Sequence, residues 1–266
     1  MSNRYRILIS TDSGSVREAN EDNFIFNGTI KRPGDEAQHF RARDTGEPIL
    51  CAVFDGMGGE KGGKAASEIA ARVALKFYEY LAEGNLRAAD NIQDYVSNCN
   101  SQISLFMEKY KYKRGGCAFA MVYLHDGIAE LFTMGDSRIY LYRRGCLIRV
   151  SRDHTLAQKK YEANIFTREE ADESSESHIL TRFLGMDEDS EDFCAEAYRE
   201  VSLGKGDKLL ICSDGLYNMC NDREIFEVLS VPEQPYTIQL VSKAKERGGE
   251  DNITCILIEP DKTAAQ

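Results

Sequence analysis

The chain has 266 residues, of which 42% are hydrophobic and 29% charged, a composition typical of a globular protein of one large domain or two small ones. Asp and Glu total 44 against 33 Lys and Arg, and the resulting net charge of −11 argues against nucleic acid or an anionic membrane as a partner. No apolar run reaches the ~18 residues of a membrane span, and the N-terminus lacks the apolar stretch of a signal peptide.

Strand-like and helix-like patterns alternate in clusters along the chain. Apolar residues three or four apart predict helices over residues 64–82, 88–110 and 234–247. Residues 129–142 fit two strands around the tight turn 135–137, which predicts an antiparallel hairpin. Clustered strands with helices between them favour an α+β fold. The predicted strands cover residues 5–9, 23–26, 49–54, 118–124, 129–134, 139–142, 208–212 and 253–258.

The segment 168–192 is rich in Asp and Glu and is the one break in composition along the chain. A charged stretch of this kind predicts a solvated surface insertion, or a mobile flap beside a site. Nothing else in the composition indicates a linker, an internal repeat or a second domain. We therefore expect a single domain, and a monomer.

The eight cysteines are spread along the chain and form no CxxC pair. Several stand within apolar, strand-like runs, which predicts buried free thiols in a reducing compartment. We therefore expect a cytoplasmic protein. Cys212 and Cys220 both lack the Arg of a CxxxxxR phosphate loop, which disfavours either of them as the nucleophile of a cysteine-dependent phosphatase.

Acidic residues recur at the ends of the predicted strands, most with a glycine beside them. A single Asp there is usually a turn or cap residue, but five such places indicate a shared site. If the strand ends converge, the carboxylates repel one another unless a divalent cation, Mg²⁺ or Mn²⁺, lies between them. The four histidines show no metal-ligand spacing, so a zinc site is not expected. The acids are Glu21, Asp22, Asp55, Asp136, Asp214 and Asp251.

Residues 58–65 fit the GxxxxGK part of a phosphate-binding P-loop and lie between a predicted strand and a predicted helix. A P-loop requires Ser or Thr after the lysine, and this chain has Ala65. The clustered strands also differ from the parallel βαβ pattern of nucleotide-binding sheets. We interpret the glycines as places where the backbone passes close to a metal or a phosphate.

Taken in chain order, these motifs resemble the metal-dependent protein phosphatases (PPM, the type 2C serine/threonine phosphatases), in particular the stand-alone bacterial members. The resemblance runs from about residue 5 to 259. The motifs that carry it are Arg17-Glu18-Ala19-Asn20-Glu21-Asp22, Asp55-Gly56-Met57-Gly58-Gly59, Gly135-Asp136-Ser137-Arg138, Asp153-His154-Thr155, Leu180-Thr181-Arg182-Phe183-Leu184-Gly185, Ser213-Asp214-Gly215 and Glu250-Asp251-Asn252.

The resemblance implies a four-layer α-β-β-α sandwich, in which two antiparallel sheets pack face to face with helices outside. It implies one catalytic domain over residues 1–260, a flap around 155–195, and a short tail at 261–266. The site is expected at one edge of the sandwich.

The resemblance also implies roles for individual residues. Asp55 would bridge two Mn²⁺ or Mg²⁺ ions, with the Gly56 carbonyl as a further ligand. Asp214 and Asp251 would bind the first ion and Glu21 the second. Asp136, with Asp214, would hold a weaker third ion that many members carry.

Other residues would act around those ions. Asp22 would orient the attacking water, so that Asp55, Asp214 and Asp22 form the catalytic set. Arg17 would bind the substrate phosphate, for which its planar fork of donors is suited. Asn252 and Arg138 would be structural supports.

The expected reaction is hydrolysis of phosphoserine and phosphothreonine by a water or hydroxide that bridges the two ions. The expected substrates are phosphoproteins, opposed by a cognate Ser/Thr kinase. Two departures stand out: Met57 replaces the His of many eukaryotic members, and residues 116–118 replace a Gly-Thr-Thr common in bacterial ones. Two alternatives remain open, a non-catalytic metal-binding pseudophosphatase that engages a partner, and a binuclear-metal hydrolase of phosphodiesters or small phosphate esters.

Overall fold

Two six-stranded antiparallel sheets pack face to face between two layers of helices, as expected from the sequence. The structure, a computed structural model, describes residues 4–32, 34, 36–58, 61–112 and 115–261. One sheet has the order β4-β1-β12-β11-β8-β9, and the other β10-β7-β6-β5-β2-β3. The strands are β1 (Arg4–Asp12), β2 (Asn23–Phe26), β3 (Thr29–Ile30), β4 (Ala37–Gly46), β5 (Ile49–Met57), β6 (Gly116–His125), β7 (Ile128–Met134), β8 (Arg138–Arg143), β9 (Cys146–Arg149), β10 (Glu196–Ala197), β11 (Lys208–Cys212) and β12 (Ile253–Pro260).

The helices cover the outer faces of both sheets. α1 and α2 pack on the sheet that contains β5 and β6, and α6 and α7 pack on the sheet that contains β1 and β12. Among the described residues, no helix combines the length and the apolar character needed to cross a membrane. The helices are α1 (Gly62–Gly84), α2 (Ile92–Tyr110), α3 (Leu156–Glu162), α4 (Arg168–Glu173), α5 (Asp214–Tyr217), α6 (Asp222–Ser230) and α7 (Tyr236–Glu246), with a 3₁₀ turn at Ser175–His178.

Strand β5 shows why a central strand appears in the sequence as a continuous apolar run. Cys51 and Val53 face the core between the sheets, whereas Leu50, Ala52 and Phe54 face the helices. Since both faces of a central strand are covered, every position from 49 to 54 is apolar and buried. β5 pairs antiparallel with β2 and with β6, so the loop that follows it is not the P-loop of a parallel nucleotide-binding sheet.

The predicted hairpin over residues 129–142 is wrong. β7 pairs with β6 and β10, whereas β8 pairs with β11 and β9 in the opposite sheet. The turn between them therefore crosses from one sheet to the other. Gly135, with φ +114°, sits against Ala118 where a side chain would not fit. Strand–turn–strand alternation is the same for a hairpin and for such a crossing, so the pattern could not separate them.

The cysteines follow the sequence-based expectation in part. All eight are free, and six of them are buried. Cys146, the first residue of the edge strand β9, is exposed, and Cys194 is partly exposed. Both lie at the surface because their segments are a hairpin end and a connecting loop rather than strands of the core.

Candidate active site

The acidic residues from the first sheet meet at one end of the sandwich. Cys212, the last residue of β11, lies opposite Cys255 near the start of β12. Asp214 follows β11 and Asp251 precedes β12, so antiparallel pairing brings both to the same end. Gly215 passes so close to Asn252 that an added Cβ would overlap its carbonyl oxygen, which shows how tightly the two loops pack.

The second sheet contributes its own acids to the same end. Asn23, the first residue of β2, pairs with Phe54 of β5. The segment with Glu21 and Asp22 therefore lies beside Asp55. The two sets of acids are close enough to interact electrostatically across the sandwich. The negative charges of Asp214, from the first sheet, and Asp22, from the second, both raise the pKa of Asp55.

Asp55 stands at the centre of this charge distribution. Its pKa is raised well above the usual range, first by burial and then by the negative charges of Asp214, Asp22 and Asp136. Burial and the charge of Asp251 likewise raise the pKa of Asp214. Carboxyls that disfavour one another's ionised form are stabilised by a cation among them.

Asp22 is a buried carboxyl held by neutral donors. Ser213 donates from Oγ to its Oδ2 at 2.8 Å. Burial raises its pKa to about 7, although hydrogen bonds from Thr254 and Ser213 and the positive charge of Lys31 act in the opposite direction. Asp22 can therefore exchange a proton close to neutral pH.

The backbone of Glu21 is tied to the loop before β12. Its amide donates to Asn252 Oδ1 at 2.7 Å, and Asn252 Nδ2 donates to the carbonyls of Ser13 and Ala19, both at 2.9 Å. One amide side chain thus joins three stretches of the chain that are far apart in sequence. This arrangement agrees with the supporting role expected of Asn252.

Two glycines bring the Glu21 carboxylate close to the end of β5. A Cβ on Gly63 would lie 2.5 Å from Glu21 Oε2, and a Cβ on Gly56 would lie 2.7 Å from the Glu21 carbonyl oxygen. A side chain at either glycine would push these groups apart. The close approach places Glu21 and the Gly56 carbonyl within one small region.

Arg17 lies at the surface of this region. Its guanidinium donates from Nη2 to Asp251 Oδ2 at 2.7 Å, and its side chain is 56% exposed. The hydrogen bond and the charge of Asp251, together with the charges of Glu21 and Asp214, raise its pKa further. Arg17 therefore faces the acidic group and is accessible to a ligand from solvent.

Asp136 is fixed through a cluster that contains Arg138, expected from the sequence as a support, and Tyr217, which the sequence did not indicate. Tyr217 donates from its hydroxyl to the Asp136 carbonyl at 3.1 Å. Arg138 stacks on the Tyr217 ring, with its guanidinium carbon 3.4 Å from the ring centroid, and bonds Asp153 through Nε and Nη2. Arg149 reaches the same carboxylate at 2.6 Å. Arg138 thus supports the turn that crosses between the sheets.

The donor chemistry fits a hard divalent cation. The acidic group offers carboxylate and carbonyl oxygens, the ligands that Mg²⁺ and Mn²⁺ prefer. Over the described residues, no three Asp, Glu, His or Cys side chains are already arranged to hold one ion together. Asp251 is engaged by Arg17, and Asp214 accepts a hydrogen bond of 3.1 Å from Asn218. Rotations of these side chains are therefore needed before several carboxylates share an ion.

The segment between β9 and β10 reaches the same end of the sandwich. His178, at the end of the 3₁₀ turn, is close enough to Asp214 to favour the ionised form of that carboxyl and so to lower its pKa. Cys117 and Leu184 exchange two backbone hydrogen bonds of 2.9 Å, which anchor the segment to the start of β6. The segment therefore lies beside the acidic residues, and its role as a flap stays a prediction.

Several contributors were assigned no role from the sequence, although Asn20 and Ser213 stand in the motifs that carry the family resemblance. Each forms a hydrogen bond with a residue between 9 and 191 positions away, and neither spacing nor strand position reveals that partner. These contributors are Lys31, Ser213, Tyr217 and Asn20.

Comparisons with known proteins agree with this geometry. A family model described as "Protein phosphatase 2C" matches residues 32–257. A serine/threonine phosphatase named stp from Listeria monocytogenes is 30% identical over 260 residues, which cover 95% of each chain. Protein phosphatase PhpP from Streptococcus pneumoniae is 29% identical over 264 residues, covering 98% of this chain and 99% of that protein.

Solved structures show the same similarity. The serine/threonine phosphatase of S. agalactiae superposes with a TM-score of 0.80 at 25% identity and covers 97% of this chain and 100% of its own. The catalytic domain of a phosphatase named PstP, solved in complex with two manganese ions, gives a TM-score of 0.75 at 25% identity. That alignment covers 97% of this chain and 98% of the PstP chain.

Proposed function

The chain belongs to the protein phosphatase 2C family, and on that premise we propose that it hydrolyses phosphoserine and phosphothreonine in proteins with two Mn²⁺ or Mg²⁺ ions. The observation that carries the proposal is the meeting of carboxyls from both sheets at one end of the sandwich. Asp55 lies in the field of Asp214, Asp22 and Asp136 there. A phosphate dianion could approach such a group only if cations neutralised it.

The ligands are assigned from the family resemblance and supported by the placement of the side chains. When bound, two divalent ions supply neutralisation of the phosphate and a water of lowered pKa. Asp136, with Asp214, is assigned to a weaker third ion. The residues assigned to the two main ions are Glu21, Asp55, Gly56 through its carbonyl, Asp214 and Asp251.

Asp22 takes the proton-handling role in this proposal. Its carboxyl is fixed by Ser213 and has a pKa of about 7, so it can accept a hydrogen bond from the attacking water and hold its proton. A group whose pKa is close to the working pH serves both as acceptor and as donor. Asp22 therefore orients the nucleophile.

Arg17 takes the phosphate-binding role. A guanidinium offers two parallel donors to phosphate oxygens, and Arg17 is exposed on the solvent side of the acids. Met57, the last residue of β5, carries no proton to give to the leaving Ser or Thr oxygen. That proton must come from water in the site.

The buried thiols do not provide a competing nucleophile. Burial raises the pKa of Cys212 to about 12 and that of Cys220 to about 11, and Cys117 lies well above its usual range. A thiol with such a pKa is almost wholly protonated at neutral pH, and the thiolate is the nucleophilic form. Hydrolysis by activated water is therefore favoured over a cysteinyl-phosphate intermediate.

The finer assignments follow from the same family membership. We propose one catalytic domain over residues 1–260 with a flap around 155–195 and a tail at 261–266, acting as a cytoplasmic monomer. Its partners would be Ser/Thr-phosphorylated proteins and the kinase that it opposes.

A substrate panel tests the proposed function. The purified chain is given phosphoserine, phosphothreonine and phosphotyrosine peptides, a phosphodiester and a small phosphomonoester, each with Mn²⁺, with Mg²⁺ and with EDTA. We expect release of phosphate from the first two peptides, dependent on the metal and stopped by the chelator. Turnover in EDTA would contradict the two-metal mechanism.

The same panel separates the two alternative functions. A pseudophosphatase would bind Mn²⁺ without turnover of any substrate. A hydrolase of small phosphate esters or diesters would act on those compounds and spare the phosphopeptides. Either result would overturn the assignment as a protein phosphatase.

A further inference from the structure

Lys31 is a buried lysine beside the loop that carries Glu21 and Asp22, and the proposed function gives it no role. The residue is 5% exposed and directly follows β3. Its Nζ donates to the carbonyl oxygen of Asn20 at 2.7 Å. A buried ammonium is costly unless it is paired, so this lysine stays in place only because its contacts compensate it.

The peptide bond between Asn20 and Glu21 is held from both sides. Lys31 binds its carbonyl oxygen, and Asn252 Oδ1 accepts its N–H, each at 2.7 Å. The next carbonyl, that of Glu21, accepts a hydrogen bond from Ser67 Oγ in α1. Elements from both sheets and from a helix thus fix the backbone on which the Glu21 carboxylate is mounted.

We propose that Lys31 is a positioning residue of the metal site, which fixes the Asn20–Glu21 peptide by a hydrogen bond. This inference rests on the proposed function, because it takes Glu21 as a metal ligand. Lys31 touches neither the substrate nor an ion. It acts through the orientation of Glu21, so losing it weakens the binding of the ion assigned to Glu21 more than the binding of the other ion.

The test is a titration of the substrate-free protein with Mn²⁺, followed by the electron paramagnetic resonance signal of the free ion. Lys31→Met removes the charge and the donor but keeps a long apolar side chain. We expect one of the two Mn²⁺ sites to weaken by about 10- to 100-fold, as for other residues that orient metal ligands, and the other site to change little. Lys31→Arg, which keeps a charged donor, should restore most of the lost affinity.

Lys208→Met is the matched control. Lys208 is also buried, donates from Nζ to the Leu229 carbonyl at 2.9 Å, and lies under α6 and α7 away from the acids. Its loss should lower the melting temperature in EDTA and leave both Mn²⁺ affinities unchanged. If Lys31→Met does not fold, the titration is made on Lys31→Gln, which keeps an amide donor without the charge.

The outcomes separate the two proposals. If the wild-type chain binds two Mn²⁺ ions and the Lys31 variant binds them equally well, or weakens only as Lys208→Met does, the role of Lys31 is wrong and the proposed function stands. If the wild-type chain binds no Mn²⁺, the proposed function fails, and the role of Lys31 fails with it.

Discussion

Arg17 and Asp251, which lie 234 positions apart in the chain, are joined by a hydrogen bond of 2.7 Å from Nη2 to Oδ2. The pair links the residue assigned to the substrate phosphate with one assigned to a metal ion. Both side chains are partly exposed, at 56% and 38%, and ion pairs of this kind contribute little to stability. Arg17 can therefore exchange Asp251 for a phosphate at small cost.

Arg17→Ala is expected to raise KM for a phosphopeptide about 10- to 100-fold, the effect of losing a charge-assisted hydrogen bond to phosphate. kcat should change much less. The control is Arg223→Ala, which removes an arginine that is 85% exposed and pairs with Glu227 on α6. An unchanged KM in steady-state kinetics would make Arg17 only a surface ion-pair residue.

Asp55→Asn is expected to lower kcat by at least about 10³-fold, since a lost metal bridge removes several kcal/mol of transition-state stabilisation. In EDTA the variant should melt no lower than the wild type, because a carboxyl that repels Asp214 and Asp22 is gone. Asp126→Asn, at a carboxylate that is 81% exposed, is the matched control and should change neither quantity. Full activity of Asp55→Asn would show that Asp55 does not bridge the two metal ions.

Gly56→Ala tests the close approach at the end of β5. The new Cβ would lie 2.7 Å from the Glu21 carbonyl oxygen and would also meet the Gly63 carbonyl. We therefore expect the free energy of unfolding to fall by about 1–3 kcal/mol and the affinity for Mn²⁺ to decrease. Gly28→Ala is the control, because nothing lies within 4 Å of a Cβ there. Urea denaturation measures the change in stability, and activity against Mn²⁺ concentration measures the change in metal affinity. If Gly56→Ala and Gly28→Ala had the same stability and the same Mn²⁺ affinity, the close contact at Gly56 would be contradicted.

Asp22 makes stability depend on pH. Its pKa rises from 3.8 when unfolded to about 7 when folded, so the folded protein holds a proton that the unfolded chain has released between those values. Rising pH therefore lowers the free energy of unfolding in this window, by at most about 1.4 kcal/mol per unit. In EDTA, Asp22→Asn should show a flatter dependence between about pH 4 and pH 7 than the wild type or Asp126→Asn. If the pH dependence of the free energy of unfolding is the same in Asp22→Asn as in the wild type, a group other than Asp22 titrates in this window.

The strands and the acidic end of the sandwich could be predicted because they depend on local patterns. The predicted strands at 23–26 and 208–212 have the bounds seen in the structure, since buried apolar runs are bordered there by polar residues. Acids at strand ends come together because antiparallel pairing aligns those ends. The family resemblance supplied the roles, which spacing alone could not.

What could not be predicted depends on partners far away in the chain. The turn at residues 135–137 crosses between sheets, because β6 and β10 already occupy both sides of β7. Four strands were missed, and all four are edge strands. β4 has many polar residues, and β3, β9 and β10 have only two to four residues each. The bond from Lys31 to Asn20 and the stacking of Arg138 on Tyr217 exist only after the loops have been assembled.

The division of the acids between the two sheets has a consequence beyond catalysis. Asp55 extends from one sheet and Asp214 from the other, so ions bound to both would cross-link the halves of the molecule. A ligand at 100 times its dissociation constant adds about 2.7 kcal/mol to the free energy of unfolding. The supply of manganese or magnesium in the cell would then set how long each copy survives proteases, as well as how fast it works.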